Sequence, residues 1–222
     1  MAYYPVMVDI TGREALVIGG GAVATRKITT LLEYGAVVSI AARELTPELK
    51  DLIENDKIRY LGAEYSLVLL KDKFLVIAAT DDPDLNHRIS LEAQAKGMLI
   101  NAVDQPGDCT FIVPSVIRRG DLVISVSTSG KSPALAKKIR EQLSPLFGNE
   151  YEPFLRMMGR IRADILTSGA GQAEKSSMFH HIVDSEILEA ISTENLKRAA
   201  KILSEILGRE ISAKDITDYL KE

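Results

Sequence analysis

Three consecutive glycines, Gly19 to Gly21, constrain the fold of this 222-residue chain more than any other feature. An apolar run, Ala15–Ile18, precedes them and predicts a short buried strand. A helical pattern of apolar residues follows them as far as Gly35, and a second apolar run, Val37–Ile40, predicts the next strand. Strand, glycine turn, helix and strand in this order are typical of the first unit of a dinucleotide-binding fold.

The glycines have a physical role at such a turn. We expect Gly19 and Gly21 to adopt backbone angles closed to other residues and to present no side chain to a pyrophosphate. The free N–H groups at the helix start would then face the anion. Ala24 holds the third position of the pattern, where a small residue lets the helix pack closely on the strand. A tight strand-to-helix turn in a flavodoxin-like domain, without a nucleotide, is the alternative.

Composition excludes several classes of protein. The net charge of −4 provides no general attraction for nucleic acid. The single cysteine, Cys109, excludes a disulfide framework and is compatible with a reducing compartment. No apolar stretch reaches membrane-spanning length and the N-terminus lacks the features of a signal peptide, so we predict a cytoplasmic protein. Three histidines, His87, His180 and His181, offer no metal-ligand spacing, so we expect no dedicated metal site.

Further periodic segments predict the remaining sheet and the helices. The predicted strands are Tyr3–Val8 at a sheet edge, Ile58–Leu61, Phe74–Ala79, Met98–Val103, Thr110–Ser115 and Leu122–Ser127. The predicted helices begin at Thr46 as N-cap and then span Pro83–Lys96, Ala134–Leu143, Pro153–Leu166, Ser185–Ile191, Glu194–Leu207 and Ala213–Leu220. The glycine-containing segment Thr167–Ser177 is predicted to be a mobile loop.

Polar residues follow two of the predicted strands at their C-terminal ends, where open α/β sheets bind ligands. Thr80 and Asp81 follow the strand that ends at Ala79, and we expect them near the nicotinamide side of a cofactor. Capping of the next helix is an equally good role for Asp82. Asp104 follows the strand that ends at Val103 and is expected close to the cofactor ring.

The second strand leads into Arg43 and Glu44, a position that affects the choice between NAD and NADP. An acid at the end of this strand often holds the ribose hydroxyls of NAD. Here Glu44 comes one residue after Arg43, and Arg43 is a possible partner for the 2′-phosphate of NADP. Stacking of Arg43 on adenine, or simple solvation, are the other readings of its role.

A small polar loop, Thr128–Pro133, leads into the helix that starts at Ala134. Ser132 suits the N-cap position, and such a loop and helix end can hold carboxylate or phosphate. The flanking segment 118–141 is basic, with Arg118, Arg119, Lys131, Lys137, Lys138 and Arg140 against Asp121 and Glu141. That balance suits an acidic ligand, whereas a solvated helix face explains it equally well.

Adjacent histidines point in different directions on a helix, so His180 and His181 favour a surface or interface role over a shared metal.

Four motifs together resemble the precorrin-2 dehydrogenase and sirohydrochlorin ferrochelatase family, of the siroheme synthase N-terminal type. They are VIGGGAVATRK (17–27), AATDDPDLN (78–86), NAVDQPGDCTFIVPS (101–115) and VSTSGKSPALAKKIRE (126–141). The resemblance covers roughly the first 145 residues. It implies an α/β protein with a Rossmann-type parallel sheet domain at 1–112, a small dimerisation region at 113–148 and a C-terminal helical domain at 149–222.

The resemblance also implies a function and a set of site residues. The function is NAD-dependent oxidation of precorrin-2 to sirohydrochlorin in siroheme or cobalamin synthesis, with iron insertion at the same site in some members. Partners would be the tetrapyrrole substrate and a second copy of the chain, as a homodimer. The essential aspartate of the family falls on Asp104. The cofactor contacts of the family fall on Ala22, Val23, Arg43 and Glu44. We also expect cofactor contacts at Gly19, Gly21, Thr80, Asn101 and Val103. The expected substrate-binding residues are Ser127, Thr128, Ser129, Gly130, Lys131 and Ser132.

Two departures from the family pattern affect what can be carried over. A serine that is phosphorylated in some members corresponds to Thr128, which puts that modification in doubt. The chain ends at Glu222, so we expect no fused methyltransferase domain. The rival functions are an NAD-sensing regulator without catalysis, a chelatase that keeps the glycine turn only as scaffold, and a different NAD(P) dehydrogenase.

Overall fold

The computed structural model of the chain describes residues 3–221, which form two compact units. One unit ends at Val113 and the other begins at Pro114. The first contains a parallel sheet with helices, and the second contains a hairpin followed by helices. The expected division of the second part into a dimerisation region and a helical domain stays a prediction.

The first unit is built on a five-stranded parallel sheet. Its strands are β1 (Glu14–Ile18), β2 (Val37–Ala41), β3 (Arg59–Tyr60), β4 (Leu75–Ala78) and β5 (Leu99–Ala102). They stand in the order β3-β2-β1-β4-β5, and every neighbouring pair is parallel. The chain leaves β1 toward one side and later returns to β4 on the other side. Such a reversal opens a crevice outside the C-terminal ends of β1 and β4. The Rossmann-type fold class is therefore confirmed.

Helices cover both faces of this sheet, which explains the uninterrupted apolar runs of its strands. The helices are α1 (Ala22–Glu33), α2 (Pro47–Glu54) and α3 (Pro83–Ala95), with short 3-10 helices at Leu67–Leu70 and Pro106–Asp108. Val17 packs with Ile28 of α1 in one buried cluster, whereas the adjacent Leu16 packs with Ile89 of α3 in another. Alternate residues of β1 thus support opposite faces of the sheet.

The predicted edge strand Tyr3–Val8 is wrong. Residues 3–10 adopt no regular secondary structure and pair with no strand of the sheet. Tyr4 is 86% exposed and Met7 is 75% exposed. The apolar character of this segment suggested a strand, but a strand also needs an edge that accepts its backbone hydrogen bonds, and Pro5 provides no N–H donor.

The second unit begins with an antiparallel hairpin, β6 (Ser115–Arg119) and β7 (Leu122–Val126). The predicted strand Thr110–Ser115 is therefore wrong, because β6 starts where that strand was expected to end. Thr110 instead continues the first unit, since its N–H donates to the Ile100 carbonyl over 2.9 Å and its hydroxyl accepts from the Ile100 N–H at 2.9 Å. Residue types that favour strands occur on both sides of Pro114. Only the residues after Pro114 form backbone hydrogen bonds with β7, so the strand begins there.

The rest of the second unit is helical. Its helices are α4 (Pro133–Leu143), α5 (Tyr151–Thr167), α6 (Gln172–Asp184), α7 (Ile187–Ser192), α8 (Leu196–Leu207) and α9 (Ala213–Leu220), with a 3-10 turn at Ser144–Leu146. The loop predicted for Thr167–Ser177 is largely wrong, because α6 already begins at Gln172 after Gly171 as N-cap. Ile182 of α6 is fully buried with Ile161 and Leu203, and this packing explains a helix that local sequence did not indicate.

Replacement of Ile28 by Ala should lower the free energy of unfolding by about 2–5 kcal/mol. Ile28 is fully buried between α1 and the sheet, so its truncation leaves a cavity. The matched control is Thr29→Ala, one residue further on the exposed side of α1, with an expected effect below about 1 kcal/mol. Urea unfolding followed by circular dichroism measures both, and equal losses would contradict this packing of α1.

Candidate functional site

The glycine turn after β1 is in close contact with the segments that follow β4 and β2. Gly19 has φ +112°, and a Cβ atom there would lie 2.1 Å from the Ala79 carbonyl oxygen. A Cβ atom on Gly20 would lie 2.0 Å from the carbonyl oxygen of Glu44. Both positions therefore require glycine, because the polypeptide after β4 and the polypeptide after β2 occupy the space of a side chain.

Gly21 differs from its neighbours, and the expectation of a special backbone angle there is wrong. Its φ of −82° and ψ of −174° are extended values that any residue adopts. A Cβ atom would meet nothing within 4 Å, so the absent side chain leaves open space in front of α1. Gly21 is the N-cap of α1, and neither a capping side chain nor an acidic residue in the first turn occupies that end.

This helix end suits the pyrophosphate of a dinucleotide. The first N–H groups of an α-helix have no partner within the helix, and here they include those of Ala22 and Val23. Both residues are exposed. Unpaired N–H groups, the positive end of the helix dipole and the open space at Gly21 together form an anion site, so the residues present fit an NAD-type cofactor.

Two threonines fix the glycine turn from the side of α2. The Thr46 N–H donates to the Gly20 carbonyl over 3.1 Å. The Thr46 hydroxyl lies 2.9 Å from the Thr25 hydroxyl of α1 and also accepts from the Leu49 N–H at 3.3 Å. The turn, the start of α2 and the first turn of α1 are thus held together, which keeps the anion site in one shape.

Thr80 belongs to a hydrogen-bonded clasp at the C-terminal end of β4. Its N–H and hydroxyl both donate to Asn86 Oδ1, over 3.2 and 2.8 Å, and Asn86 Nδ2 donates back to the Thr80 carbonyl over 3.0 Å. Asn86 is only 3% exposed. Asp82 caps α3 by accepting from the N–H groups of Asp84 and Leu85, so its expected capping role is confirmed.

Asp104 lies two residues beyond β5, next to the C-terminal end of β4. The Val103 N–H donates to the Ala78 carbonyl of β4 over 2.9 Å, which fixes the chain just before Asp104. Asp104 is exposed and has φ +60°, a left-handed value that aspartate tolerates better than most residues. None of the hydrogen bonds described for residues 3–221 involves its carboxylate. A carboxylate in this position can accept a proton or a hydrogen bond from a ligand in the crevice.

Asn101 and Val103 stabilise the chain around the C-terminal end of β5. The Asn101 amide donates to the Phe111 carbonyl over 3.2 Å and to Cys109 Sγ at 3.5 Å, so it holds the chain that follows β5. Val103 packs in the buried cluster on the α1 side of the sheet. The Cys109 thiol donates to the Ala102 carbonyl, and burial raises its pKa. Their expected contact with the cofactor stays a prediction.

Arg43, which follows β2, forms a salt bridge with Glu64. Its Nε donates to Glu64 Oε1 and its Nη2 donates to Glu64 Oε2, both over 3.1 Å. These hydrogen bonds and the charge of the partner raise the pKa of Arg43 and lower that of Glu64. Glu44 is exposed beside this pair. This ion pair was not among the roles considered for Arg43 from the sequence, and its expected contact with the cofactor stays a prediction.

The expected substrate-binding loop lies in the second unit, and its hydroxyl groups bond within the loop. Ser127 accepts from the Ser129 N–H at 3.1 Å, and Thr128 accepts from the Ser132 N–H at 3.0 Å. Ser132 caps α4 by accepting from the Leu135 N–H. The start of α4 is thus capped, in contrast to the start of α1. Two consecutive left-handed residues, Ser129 and Gly130, form the bend, and the side chain of Lys131 is exposed.

The basic residues near this loop have different environments. Arg119 donates to the Phe147 carbonyl and the Ser144 hydroxyl, so it joins the hairpin to the segment after α4. Arg140 and Lys137 pair with Glu141. An open cavity of about 420 Å³ lies beside the hairpin. Its lining includes Arg118, Arg119 and Arg140. Lys131 and Lys138 remain exposed cations near the start of α4.

Two residues close to this turn, Gly20 and Lys27, were not selected from the sequence. Gly20 was not singled out, although a run of three glycines at this turn was the available signal. Lys27, in the same VATRK motif, is half-buried on α1, and burial together with the nearby Arg26 lowers its pKa.

Within residues 3–221, no group of three or more histidine, cysteine or acidic side chains has a metal-binding arrangement. His180 Nδ1 lies 2.7 Å from the Ser176 carbonyl of its own helix. Over the same described range, none of the helices has the length and apolar character needed to span a bilayer.

Two family models match parts of the chain. A model for NAD(P)-binding matches residues 6–115, which contain the parallel sheet. A model described as the central part of sirohaem biosynthesis proteins matches residues 119–144, which contain the hairpin and α4. The chain therefore carries an NAD(P)-binding domain next to a segment typical of sirohaem biosynthesis proteins.

Similar proteins agree with these models. The siroheme synthase of Photorhabdus laumondii is 33% identical over 207 residues, which are 93% of this chain and 44% of that protein. The siroheme synthase of Sodalis glossinidius is 34% identical over 94% of this chain and 44% of its own length. This chain thus spans less than half the length of these curated relatives. A solved structure of SirC, a precorrin-2 dehydrogenase, superposes with a TM-score of 0.76 at 26% identity, covering 93% of this chain and 100% of that one.

Substitutions of Gly20 and Gly21 by Ala should separate folding from cofactor binding. Gly20→Ala should lower the free energy of unfolding by about 1–3 kcal/mol, because the new methyl group collides with the Glu44 carbonyl. Gly21→Ala should change it by less than about 1 kcal/mol but weaken NAD binding, because its methyl group projects into the open space in front of α1. Urea unfolding and NADH fluorescence titration measure the two effects. Equal stability of the two variants would contradict the close approach at Gly20.

Proposed function

The chain belongs to the family of siroheme synthases and precorrin-2 dehydrogenases, and from this premise we propose that it oxidises precorrin-2 to sirohydrochlorin with NAD⁺. The observation that carries the proposal is one juxtaposition in the first unit. The uncapped start of α1 and the carboxylate of Asp104 follow β1 and β5, the two strands that flank β4, at the C-terminal edge of the sheet. A dinucleotide anchored at α1 would extend its reactive ring along this edge.

The chemistry divides between the cofactor and the side chains. Bound NAD⁺ supplies the two-electron oxidant for the macrocycle. The chain supplies the pyrophosphate site at Gly21, Ala22 and Val23, where N–H groups face the anion. The clasp of Thr80 and Asn86 keeps the end of β4 rigid under the crevice. The ribose adjacent to adenine would lie near Glu44, which follows β2.

Asp104 is the proposed catalytic residue. Oxidation of precorrin-2 removes a hydride, which NAD⁺ would accept, and a proton. A positioned carboxylate can accept the proton or orient the macrocycle through its pyrrole N–H groups. Asp104 is exposed, so its carboxylate is accessible to a ligand. Its left-handed backbone directs the chain away from β5 at this point, and such conformations are frequent at functional sites.

The second unit would bind the carboxylate groups of the substrate. Precorrin-2 is strongly acidic, and the segment 118–141 has six basic and two acidic residues. Lys131 is the exposed cation of the loop Ser127–Ser132, next to the bend formed by Ser129 and Gly130. We propose that this loop contacts the substrate, that the protein acts in the cytoplasm and that it works as a homodimer.

Anaerobic turnover of precorrin-2 with NAD⁺ tests the function. NADH and sirohydrochlorin formation are followed by absorbance, and Fe²⁺ or Co²⁺ is then added. Formation of NADH and sirohydrochlorin supports the dehydrogenase, and faster-than-background loss of the sirohydrochlorin spectrum would add metal insertion to its activities. Binding of NAD⁺ without turnover would favour a regulator instead, and metal insertion without NADH formation would favour a chelatase.

Replacement of Asp104 by Asn should reduce turnover about 100-fold or more and leave NAD binding unchanged. Asparagine keeps the size and tolerates the left-handed backbone, so the substitution removes the charge without disturbing the fold. The matched control is Asp72→Asn, since Asp72 is also exposed with φ +59° but precedes β4 at the opposite edge of the sheet. Near-normal turnover of the Asp104 variant would show that the assignment is wrong.

Replacement of Lys131 by Ala should raise the KM for precorrin-2 about twofold to fivefold. The physical reason is the loss of one exposed cation, so the difference from the parent protein should shrink as salt is added. Lys57→Ala removes an exposed cation of the first unit and serves as control. Steady-state kinetics at two salt concentrations measure both variants. An unchanged KM for the Lys131 variant would exclude this residue from the substrate site.

A further inference from the structure

We infer that Glu64 makes the cofactor site selective for NAD over NADP by engaging Arg43. This inference rests on the proposed NAD-dependent function and adds a residue that determines which dinucleotide is accepted. An arginine just after the second strand is a common partner for the 2′-phosphate of NADP. In this chain one of the two guanidinium faces that form paired contacts with phosphate, the Nε and Nη2 face, already binds Glu64.

The geometry of the pair matches the one that a phosphate would need. A guanidinium group binds carboxylate and phosphate through the same two parallel hydrogen bonds. The two bonds to Glu64 are equal in length at 3.1 Å, so the carboxylate occupies the fork symmetrically. A 2′-phosphate could bind the Nε and Nη2 face of Arg43 only by displacing Glu64. At the Nη1 and Nη2 face, the paired carboxylate would remain close to the phosphate and repel it.

The segment that carries Glu64 is attached to the end of β2 by three hydrogen bonds. The Leu61 N–H donates to the Ile40 carbonyl over 2.8 Å, and the Ala42 N–H donates to the Gly62 carbonyl over 3.1 Å. The Tyr60 hydroxyl donates to the Ala42 carbonyl over 3.0 Å. The glutamate two residues after Gly62 therefore meets the arginine one residue after Ala42 because the backbone places both at the same end of the sheet.

Other charges around Arg43 favour a ribose diol over a phosphate. Glu44 is adjacent in sequence, and the field of Asp82 adds to that of Glu64 in raising the pKa of Arg43. The paired carboxylate of Glu64 and the field of Asp82 thus both act on the guanidinium group of Arg43. Carboxylates accept hydrogen bonds from the neutral hydroxyl groups of an NAD ribose, whereas they repel the doubly charged 2′-phosphate. Glu64 has the decisive position, because it alone forms the paired contact with Arg43 among residues 3–221.

Titration of the purified protein with NADH and with NADPH tests this inference by direct binding. The wild-type protein should bind NADH more tightly. Glu64→Gln should increase NADPH affinity about fivefold to tenfold and change NADH affinity less than about twofold, because the guanidinium group becomes available to the 2′-phosphate. The gain should decrease at high salt, as expected for attraction between exposed charges. Glu64 is a surface residue, and its substitution should leave thermal unfolding nearly unchanged.

Two further variants identify the cause of any gain. Glu54→Gln makes the same change of net charge on the exposed face of α2, so it should not alter the NADPH-to-NADH affinity ratio. The double variant Arg43→Gln with Glu64→Gln should lose the gain, because no guanidinium group is left to bind phosphate.

The outcomes separate this inference from the proposed function. An affinity ratio that changes equally in the Glu64 and Glu54 variants would overturn the inference, as would retention of the gain without Arg43. Tighter binding of NADPH by the wild-type protein would also overturn it while leaving a dehydrogenase possible. Absence of binding of either dinucleotide to the wild-type protein would overturn both the inference and the proposed function.

Discussion

The close approach of three backbone segments at Gly19 and Gly20 is the constraint on which the rest of the site depends. The carbonyl groups of Ala79 and Glu44 lie where side chains of those glycines would be. Because the turn accommodates both, the ends of β2 and β4 lie against the start of α1. This arrangement leaves Gly21 in front of open space and gives the crevice an anion site with a fixed shape.

Under the proposed function, different residues around this turn would determine cofactor affinity, chemistry and cofactor selectivity. The start of α1 offers unpaired N–H groups, a sequence-independent attraction for a pyrophosphate. Asp104 offers a carboxylate without a hydrogen-bond partner among the described residues at the end of β5. Arg43 and Glu64 satisfy each other at the end of β2, and the pair gives that end a charge pattern suited to a ribose diol. Each proposed role therefore belongs to a different strand end, and the parallel sheet aligns these ends along one edge.

The two helix starts show why similar local sequences have different functions. Both α1 and α4 follow small, glycine-containing loops, and both loops were predicted to hold anions. At α4 the Ser132 side chain caps the helix, so the Leu135 N–H has an internal partner. At α1 the N-cap is glycine, which has no side chain to cap the helix, and the N–H groups stay available. In the second unit the candidate contact for an acidic substrate is therefore Lys131 and not the helix end.

The sequence by itself determined the parallel sheet, the glycine turn, most helices and the position of Asp104, because these depend on periodicity and on residue types that act locally. It did not determine the secondary structure of Tyr3–Val8, of Thr110–Ser115 or of the segment that forms α6. The structure of each depends on whether a distant segment provides hydrogen bonds or a buried surface. Only the tertiary structure decided that Gly20 rather than Gly21 is tightly packed and that Arg43 is paired with Glu64. Both facts arise from contacts between segments about twenty residues or more apart in the chain, which no local pattern records.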